Sequence, residues 1–147
     1  QPRSRGLGDV YKRQKRLSHY TDFELQEISS LKSSTKISQS ELKKSEGQMI
    51  MKYLNSNDYV VLLDENGKSY SSIDFSKKIE KFRLNSFKRV VFVVGGAFGF
   101  SDELYSRCNE KVSLSYMTFS HQMVRLFFVE QLYRAFTIIN NEKYHHQ

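Results

Sequence analysis

The sequence predicts an α/β protein in which a mostly parallel sheet is flanked by helices. Two stretches carry this prediction, DYVVLLD at 58–64 and RVVFVV at 89–94. Both are almost continuously apolar, as expected of strands that are buried on both faces. Segments with helical signals follow each of them, and this alternation is typical of a parallel sheet. The length of 147 residues fits a single domain.

The remaining elements follow from local signals. Strands are expected where β-forming residues cluster, at 22–29, 58–64, 89–94 and, as a strand or extended loop, 111–119. Helices are expected where apolar residues recur at helical spacing or a serine can cap the amino end, at 40–54, 72–85, 101–108 and 120–139. Residues 29–39 are rich in Ser and Lys and predict a loop, and Glu65-Asn66-Gly67-Lys68 predicts a turn.

The first fourteen residues, QPRSRGLGDVYKRQ, show neither helical nor strand periodicity. We interpret residues 1–14 as a foreign or disordered segment and residues 15–147 as the domain, with a basic RNA-binding arm as the alternative. The whole chain has a net charge of +7, which favours a polyanionic partner such as RNA over no partner only weakly. Without the segment, which holds four basic residues and one acidic residue, the net charge is +4.

Composition excludes several classes of protein. Hydrophobic residues make up 39% and aromatic residues 14%, which is enough for a core. No apolar run reaches the roughly 20 residues of a membrane span, and no secretory leader stands at the start. The single cysteine, Cys108, excludes a disulfide framework, favours a cytoplasmic location and is expected to be a core or surface thiol. We expect no metal site, since the adjacent His145 and His146 lack further ligands at suitable spacing.

The last predicted helix is apolar around nearly its whole circumference, with only Arg125, Glu130 and Arg134 charged in its interior. Such a helix must be buried on more than one side. A chain of this size offers little interior, so we predict a homodimer built partly on this helix.

A glycine-rich loop, VVGGAFG, directly follows the second apolar strand. It matches neither the dinucleotide-binding nor the phosphate-binding glycine motif, so a tight turn and a ligand contact both remain open. Ligands of open α/β sheets lie at the carboxyl ends of strands, where Leu63 and Asp64 would share an edge with this loop.

Charged residues on the last helix give further candidates. His121 and Arg125 are four residues apart and lie on one face, which fits an RNA contact or a local cap beside an extended arginine. Arg134 lies on the face opposite Arg125, so the two could share a site only across a dimer, and its spacing to Glu130 fits a local ion pair. The tail Tyr144-His145-His146 would by itself be interpreted as a frayed end.

Three motifs together resemble a known family: VVLLDENGK at 60–68, FVVGGAFGFSDEL at 92–104, and LSYMTFSHQMVRLFFVEQLYRAFTIINNEKYHH at 114–146. They are similar to the small SPOUT-class, trefoil-knot methyltransferases of the bacterial ribosomal RNA large subunit, which methylate N3 of a pseudouridine in 23S rRNA. The resemblance implies a C-terminal deep trefoil knot at about 90–147, S-adenosylmethionine (SAM) as cofactor, a homodimer, and rRNA or the ribosome as partner.

The resemblance also implies site residues. Those implied to bind the cofactor are Leu63, Gly95, Gly96, Leu114, Ser115, Tyr116, Met117, Thr118 and Phe119. The candidates for removing the N3 proton or stabilising the anionic base are His121, Arg134, Tyr144 and His145. Arg125 is the candidate RNA contact.

One departure from the family lies at the front of the chain. Family members begin with an apolar strand that ends in glycine and a helix, and residues 1–14 resemble neither, so we expect an N-terminally truncated domain. The alternative function is therefore a catalytically impaired knot protein that only binds RNA or the ribosome. A third hypothesis is a nucleotide-binding α/β protein unrelated to methylation.

Overall fold

The computed structural model describes residues 2–28, 37–96 and 98–146. In chain order, the elements are α1 (Pro2–Leu17), α2 (Gln39–Tyr53), β1 (Tyr59–Ser69), α3 (Ser72–Leu84), β2 (Val90–Val94), α4 (Asp102–Arg107), β3 (Glu110–Ser113) and α5 (His121–Ile139). They form two compact units. The helical unit consists of Gln1–Leu25, Ser69–Ser86 and Met117–Gln147, and the sheet unit of Gln26–Lys68 and Phe87–Tyr116. The single domain at 15–147 stays a prediction.

The sheet unit contains three strands in the order β2-β1-β3. β1 and β2 are parallel, and their register runs from Tyr59 opposite Val90 to Leu63 opposite Val94. The central position of β1 explains its apolar sequence, because residues 60–63 are all buried. Helices α2 and α4 pack against the sheet and share one core with it, which includes Val60, Leu62, Val93, Phe100 and Leu104. The predicted α/β class is thus confirmed.

In the helical unit, α5 packs against both α1 and α3. Its buried side chains are Phe128, Val129, Leu132, Ala135, Phe136 and Thr137. The expectation that this helix is buried on more than one side is therefore confirmed, and the chain itself supplies both neighbours. The homodimer stays a prediction.

Helix α1 covers most of residues 1–14, where the sequence shows no helical periodicity. Val10 and Leu17 are buried on α1, and residues seven apart lie on one face of a helix. This one apolar stripe, packed on α5, is too short to give a periodic pattern within residues 1–14. Whether the segment is foreign to the protein stays a prediction.

Two other local predictions were wrong. Residues 22–28 form no strand, since the sheet pairs only β1, β2 and β3 among the described residues. β1 continues through the expected turn at 65–68 because Gly67 lies tightly against β3. A Cβ atom at Gly67 would come within 2.6 Å of the Lys111 carbonyl carbon. The loop expected at 29–39 falls largely outside the described residues.

An ion pair fixes the amino end of the parallel strand pair. Arg89, just before β2, donates from Nη2 to Asp58 Oδ2 at 2.5 Å and from Nε to Oδ1 at 3.0 Å. Asp58 also accepts from the backbone N–H of Asn55 at 2.7 Å. Arg107 in turn donates to the carbonyl oxygens of Asn55 and Asp58. The Arg89 guanidinium beside it lowers the pKa of the buried Asp58 carboxyl below its usual value.

This ion pair predicts an acid dependence of stability. Because the pKa of Asp58 is lowered in the folded state, its stabilising effect is full above the pKa of an unfolded aspartate, about 3.9, and is lost as the pH falls through the lowered value. Asp58→Asn should reduce the free energy of unfolding at neutral pH by about 1–3 kcal/mol and flatten its acid dependence, measured by urea denaturation. The exposed Asp22→Asn is the control. Equal effects of the two variants would contradict the assignment.

Candidate functional site

The parallel pairing of β1 with β2 stops at the carboxyl end of β2, which we call the sheet edge, while β1 itself continues to Ser69. Leu63 is paired with Val94, so Asp64 and Gly95 follow side by side, as the sequence predicted. Asp64 is held in place by the Tyr105 hydroxyl, which donates to Oδ2, and by the Asn66 backbone N–H, which donates to Oδ1 at 2.8 Å. Burial and the Asp64 carboxylate raise the pKa of Tyr105 to about 12, so this hydroxyl remains a donor at neutral pH.

The glycines after β2 are required by close packing. A Cβ atom at Gly95 would lie 2.9 Å from Cε1 of the buried Phe100 ring. At Gly96 it would lie 2.9 Å from Oε2 of Glu46 in α2. Gly99 has a φ of 82° and donates its N–H to the Gly96 carbonyl at 3.3 Å. The loop therefore presents backbone at the sheet edge, with side chains filling the space behind it.

The other predicted cofactor residues are divided between the two units. Leu114 and Ser115 directly follow β3 and are half-buried, and the Ser113 hydroxyl donates to the Ser115 carbonyl at 2.9 Å. Tyr116 is 88% exposed. Met117, Thr118 and Phe119 belong to the helical unit, where Met117 is 71% exposed. The Phe119 ring lies 5.1 Å from the ring of Phe127 on α5.

The C-terminal tail folds back along α5. Asn141 has a φ of 56°, a conformation that asparagine tolerates better than most residues, and it reverses the chain after α5. The Glu142 N–H donates to the Thr137 carbonyl at 2.8 Å. The Glu142 carboxylate also accepts from the Tyr20 hydroxyl at 2.7 Å. The tail is therefore docked in this structure, in contrast to the frayed end that sequence position alone suggests.

Docking of the tail creates a polar cluster, the tail cluster, consisting of Glu130, Arg134, Tyr144 and His145. Arg134 Nη2 donates to Glu130 Oε1 at 2.7 Å, and Arg134 Nη1 lies 3.0 Å from His145 Nδ1. The guanidinium carbon also lies 4.8 Å from the centroid of the Tyr144 ring. The Tyr144 hydroxyl donates to Glu130 Oε1 at 3.1 Å. Three of the four predicted catalytic residues thus come together.

The cluster consists mainly of hydrogen-bond donors. A guanidinium has no acceptor, so Nδ1 of His145 must accept from Arg134, which places the ring proton of a neutral imidazole on Nε2. Burial and the nearby Glu130 raise the pKa of Tyr144, so its hydroxyl is protonated at neutral pH. The arrangement can therefore bind and stabilise an anionic or oxygen-rich group.

The fourth predicted catalytic residue, His121, lies apart from the others. It is exposed at the first position of α5, after the N-cap Ser120. Thirteen residues separate it from Arg134, which corresponds to roughly 20 Å along a helix. Arg125, the candidate RNA contact, is half-buried one turn after His121. Within one chain the structure does not bring His121 to the tail cluster.

Sequence reasoning missed two parts of these sites. Glu130 was interpreted only as a local partner of Arg134, although it also accepts from the tail. The Tyr105–Asp64 contact joins α4 to the sheet edge and left no local signal in the sequence.

Cys108 is half-buried beside the core of the sheet unit, and burial raises the pKa of its thiol, which disfavours the nucleophilic thiolate.

Within the described parts of the chain, no group of three or more His, Cys, Asp or Glu side chains could hold a metal ion. Over those same residues, no helix is long and apolar enough to cross a membrane.

The structure is an α/β protein whose glycine-rich loop follows β2 beside Asp64 of β1, at the carboxyl side of the parallel strand pair, where such sheets bind ligands. A family model described as "Predicted SPOUT methyltransferase" matches residues 7–145. The chain therefore belongs to the SPOUT methyltransferase family.

Curated relatives agree with this assignment. The chain is 54% identical over 132 residues to the ribosomal RNA large subunit methyltransferase H of Christiangramia forsetii, covering 90% of this chain and 84% of the relative. It is 53% identical over 133 residues to the protein of the same name from Flavobacterium johnsoniae, covering 90% and 85%. The Parabacteroides distasonis protein of that name is 52% identical over 132 residues, covering 90% and 84%.

The packing behind the glycine loop predicts different effects of two neighbouring substitutions. Gly95→Ala should reduce the free energy of unfolding by about 1–3 kcal/mol, because the new methyl group meets a buried aromatic ring. Gly96→Ala should cost less, since it meets the end of a flexible Glu46 side chain. Urea denaturation of both variants measures the difference. A larger loss for Gly96→Ala would contradict the packing described.

Proposed function

We propose that this protein is a SAM-dependent methyltransferase that acts on N3 of a pseudouridine in 23S rRNA and carries the trefoil knot of its family. Membership of the SPOUT methyltransferase family and the names of the relatives support the reaction class and the RNA substrate. The observation that carries the proposal is the docked tail, which assembles Arg134, Tyr144 and His145 into one cluster.

The residues of the sheet edge fit an adenosine-containing cofactor. Leu63 is an apolar residue, buried where the pairing of β1 with β2 stops, and Gly95 and Gly96 place backbone groups without side chains directly after β2. Backbone hydrogen-bonding groups beside apolar side chains are typical of cofactor sites. SAM, when bound, supplies a methyl group on a sulfonium. The residues of the sheet unit proposed to hold it are Leu63, Gly95, Gly96, Leu114, Ser115 and Tyr116. The other predicted cofactor contacts, Met117, Thr118 and Phe119, belong to the helical unit and stay predictions.

The tail cluster would act on the base that is methylated. N3 of pseudouridine carries a proton between two carbonyl groups, and its removal leaves negative charge on the carbonyl oxygens. Arg134 is a permanent cation, and His145 carries a donor at Nε2 in the observed arrangement. We infer that these groups hold the carbonyl oxygens and favour the anionic base, as donors do for an oxyanion. Positioning of the base would supply much of the remaining rate.

The proposed enzyme is a homodimer. His121 lies roughly 20 Å along α5 from Arg134, so both could serve one substrate only if they came from different copies. Apolar side chains beside His121 are open to a second copy, with Met117 71%, Met123 41% and Phe119 38% exposed. Arg125 lies in the same region and is the proposed RNA contact. The proposed location is the cytoplasm, where ribosomes are modified.

Methyl transfer to ribosomes and nucleotide analysis of the 23S rRNA test this function. His145→Ala should lower the single-turnover rate by roughly 10²-fold, because a positioned donor is lost, and leave the SAM dissociation constant within about twofold. His146→Ala, its exposed neighbour, should leave the rate unchanged and serves as the control.

Other results would contradict the assignment in different ways. Equal rates for wild type and His145→Ala would remove His145 from the site. Ribosome binding by the wild type without methyl transfer would favour the RNA-binding module. Absence of SAM binding in calorimetry would favour the unrelated nucleotide-binding protein.

A site shared between two copies of the chain predicts complementation between two impaired variants. If His121 of one copy serves the tail cluster of the other, a mixed dimer of His121→Ala and His145→Ala contains one intact site. Equal mixing and reassembly should restore roughly one quarter of the wild-type rate, since half of the dimers are mixed and each has one active site. Each variant alone should keep only its own low rate. No recovery in dimers shown to be mixed would place both histidines in separate or same-chain sites.

A further inference from the structure

Glu130 accepts hydrogen bonds from three different side chains. Its Oε1 atom accepts from Arg134 Nη2 at 2.7 Å and from the Tyr144 hydroxyl at 3.1 Å. Its Oε2 atom accepts from Gln131 Nε2 at 3.2 Å. The Glu130 side chain is 18% exposed. A carboxylate has about four acceptor positions, so most of its capacity is used within the helical unit.

We propose that Glu130 is a positioning residue for methyl transfer, which holds Arg134 and the C-terminal tail in the arrangement that acts on the base. This inference rests on the proposed function. Glu130 does not itself approach the base in this arrangement, because its carboxylate is occupied by Arg134, Tyr144 and Gln131.

The contacts of Glu130 show how its carboxylate holds the other residues of the tail cluster in place. Arg134 uses one guanidinium nitrogen for Glu130 and the other for His145, so fixing the first fixes the second through the planar guanidinium group. The hydrogen bond from Tyr144 brings the tail to the same oxygen atom. Removal of Glu130 therefore releases both side chains that it holds, and with them His145.

A second contact chain orients Glu130 itself. Gln131, which donates to Glu130, accepts from the Ser72 hydroxyl of α3 at 2.9 Å. The path from Ser72 through Gln131 to Glu130 connects α3 with the tail. Side chains locked by such outer contacts hold a site more precisely than side chains anchored in a loop.

The charge of Glu130 has an effect on Tyr144 that a purely structural role would not require. The charged groups acting on Tyr144 are Glu130, which raises its pKa, and Arg134 and Arg13, which lower it, while burial raises it most. Replacing Glu130 with the neutral glutamine should therefore lower the pKa of Tyr144. The sign follows because loss of a nearby negative charge favours the tyrosinate.

Single-turnover methyl transfer by Glu130→Ala and Glu130→Gln tests the proposal. Glu130→Ala should lower the rate at saturating SAM by roughly 10- to 100-fold and leave the SAM dissociation constant within about twofold. Glu130→Gln keeps the size and one acceptor oxygen, so its loss should be smaller, with a Tyr144 titration shifted to lower pH in NMR. The control is Glu80→Gln, an exposed carboxylate on α3 of the same unit.

Hydrogen exchange of the backbone amides at 142–146 gives a readout independent of activity. Faster exchange of these amides in Glu130→Ala, with the amides of α5 unchanged, supports the proposal. Unchanged tail exchange in Glu130→Ala would overturn the proposal. So would an unchanged methylation rate in Glu130→Ala when the wild type is active. If the wild type itself transfers no methyl group to rRNA, the proposed function fails, and tail exchange still decides whether Glu130 holds the tail.

Discussion

The parallel pairing of β1 with β2 is the constraint on which the sheet-edge site depends. Because Leu63 is opposite Val94, the next residues of the two segments, Asp64 and Gly95, lie side by side at the sheet edge. The Asp58–Arg89 ion pair acts at the other end of the same two strands and joins the residues that precede them.

In the helical unit, the short C-terminal tail is held against α5. The tail after α5 has eight residues, and its described part, 140–146, forms neither a helix nor a strand. It is held instead by a backbone reversal at Asn141, by the Tyr20–Glu142 contact and by the tail cluster. Each of these contacts is polar and partly exposed, so each stabilises the tail modestly. Such a segment can be ordered and still remain able to move when a substrate binds.

Sequence patterns predicted the parts of this protein whose signal is local. The apolar runs predicted β1 and β2, and Ser101, at the start of the helix expected at 101–108, caps α4. The edge shared by Leu63 and Gly95 followed from the rule for parallel strands. The contact of Glu130 with the tail was not predicted, because Tyr144 lies fourteen residues away and reaches Glu130 only after the chain reverses at Asn141. Helix α1 was not predicted, because Val10 and Leu17 alone give no periodic pattern. Their burial is seen only in the folded unit, where α1 packs against α5.

The protonation states of the tail cluster narrow the proposed mechanism. Neither Tyr144 nor His145 is arranged as a base, since the tyrosine hydroxyl is protonated and Nδ1 of the histidine accepts from Arg134. Nδ1 of His145 could take the N3 proton only by breaking its contact with Arg134. The cluster is better suited to lower the pKa of N3, by stabilising the anionic form of the pseudouridine, than to accept the N3 proton itself. We propose that the proton then leaves to water or to His121 of a second copy, the remaining predicted catalytic residue.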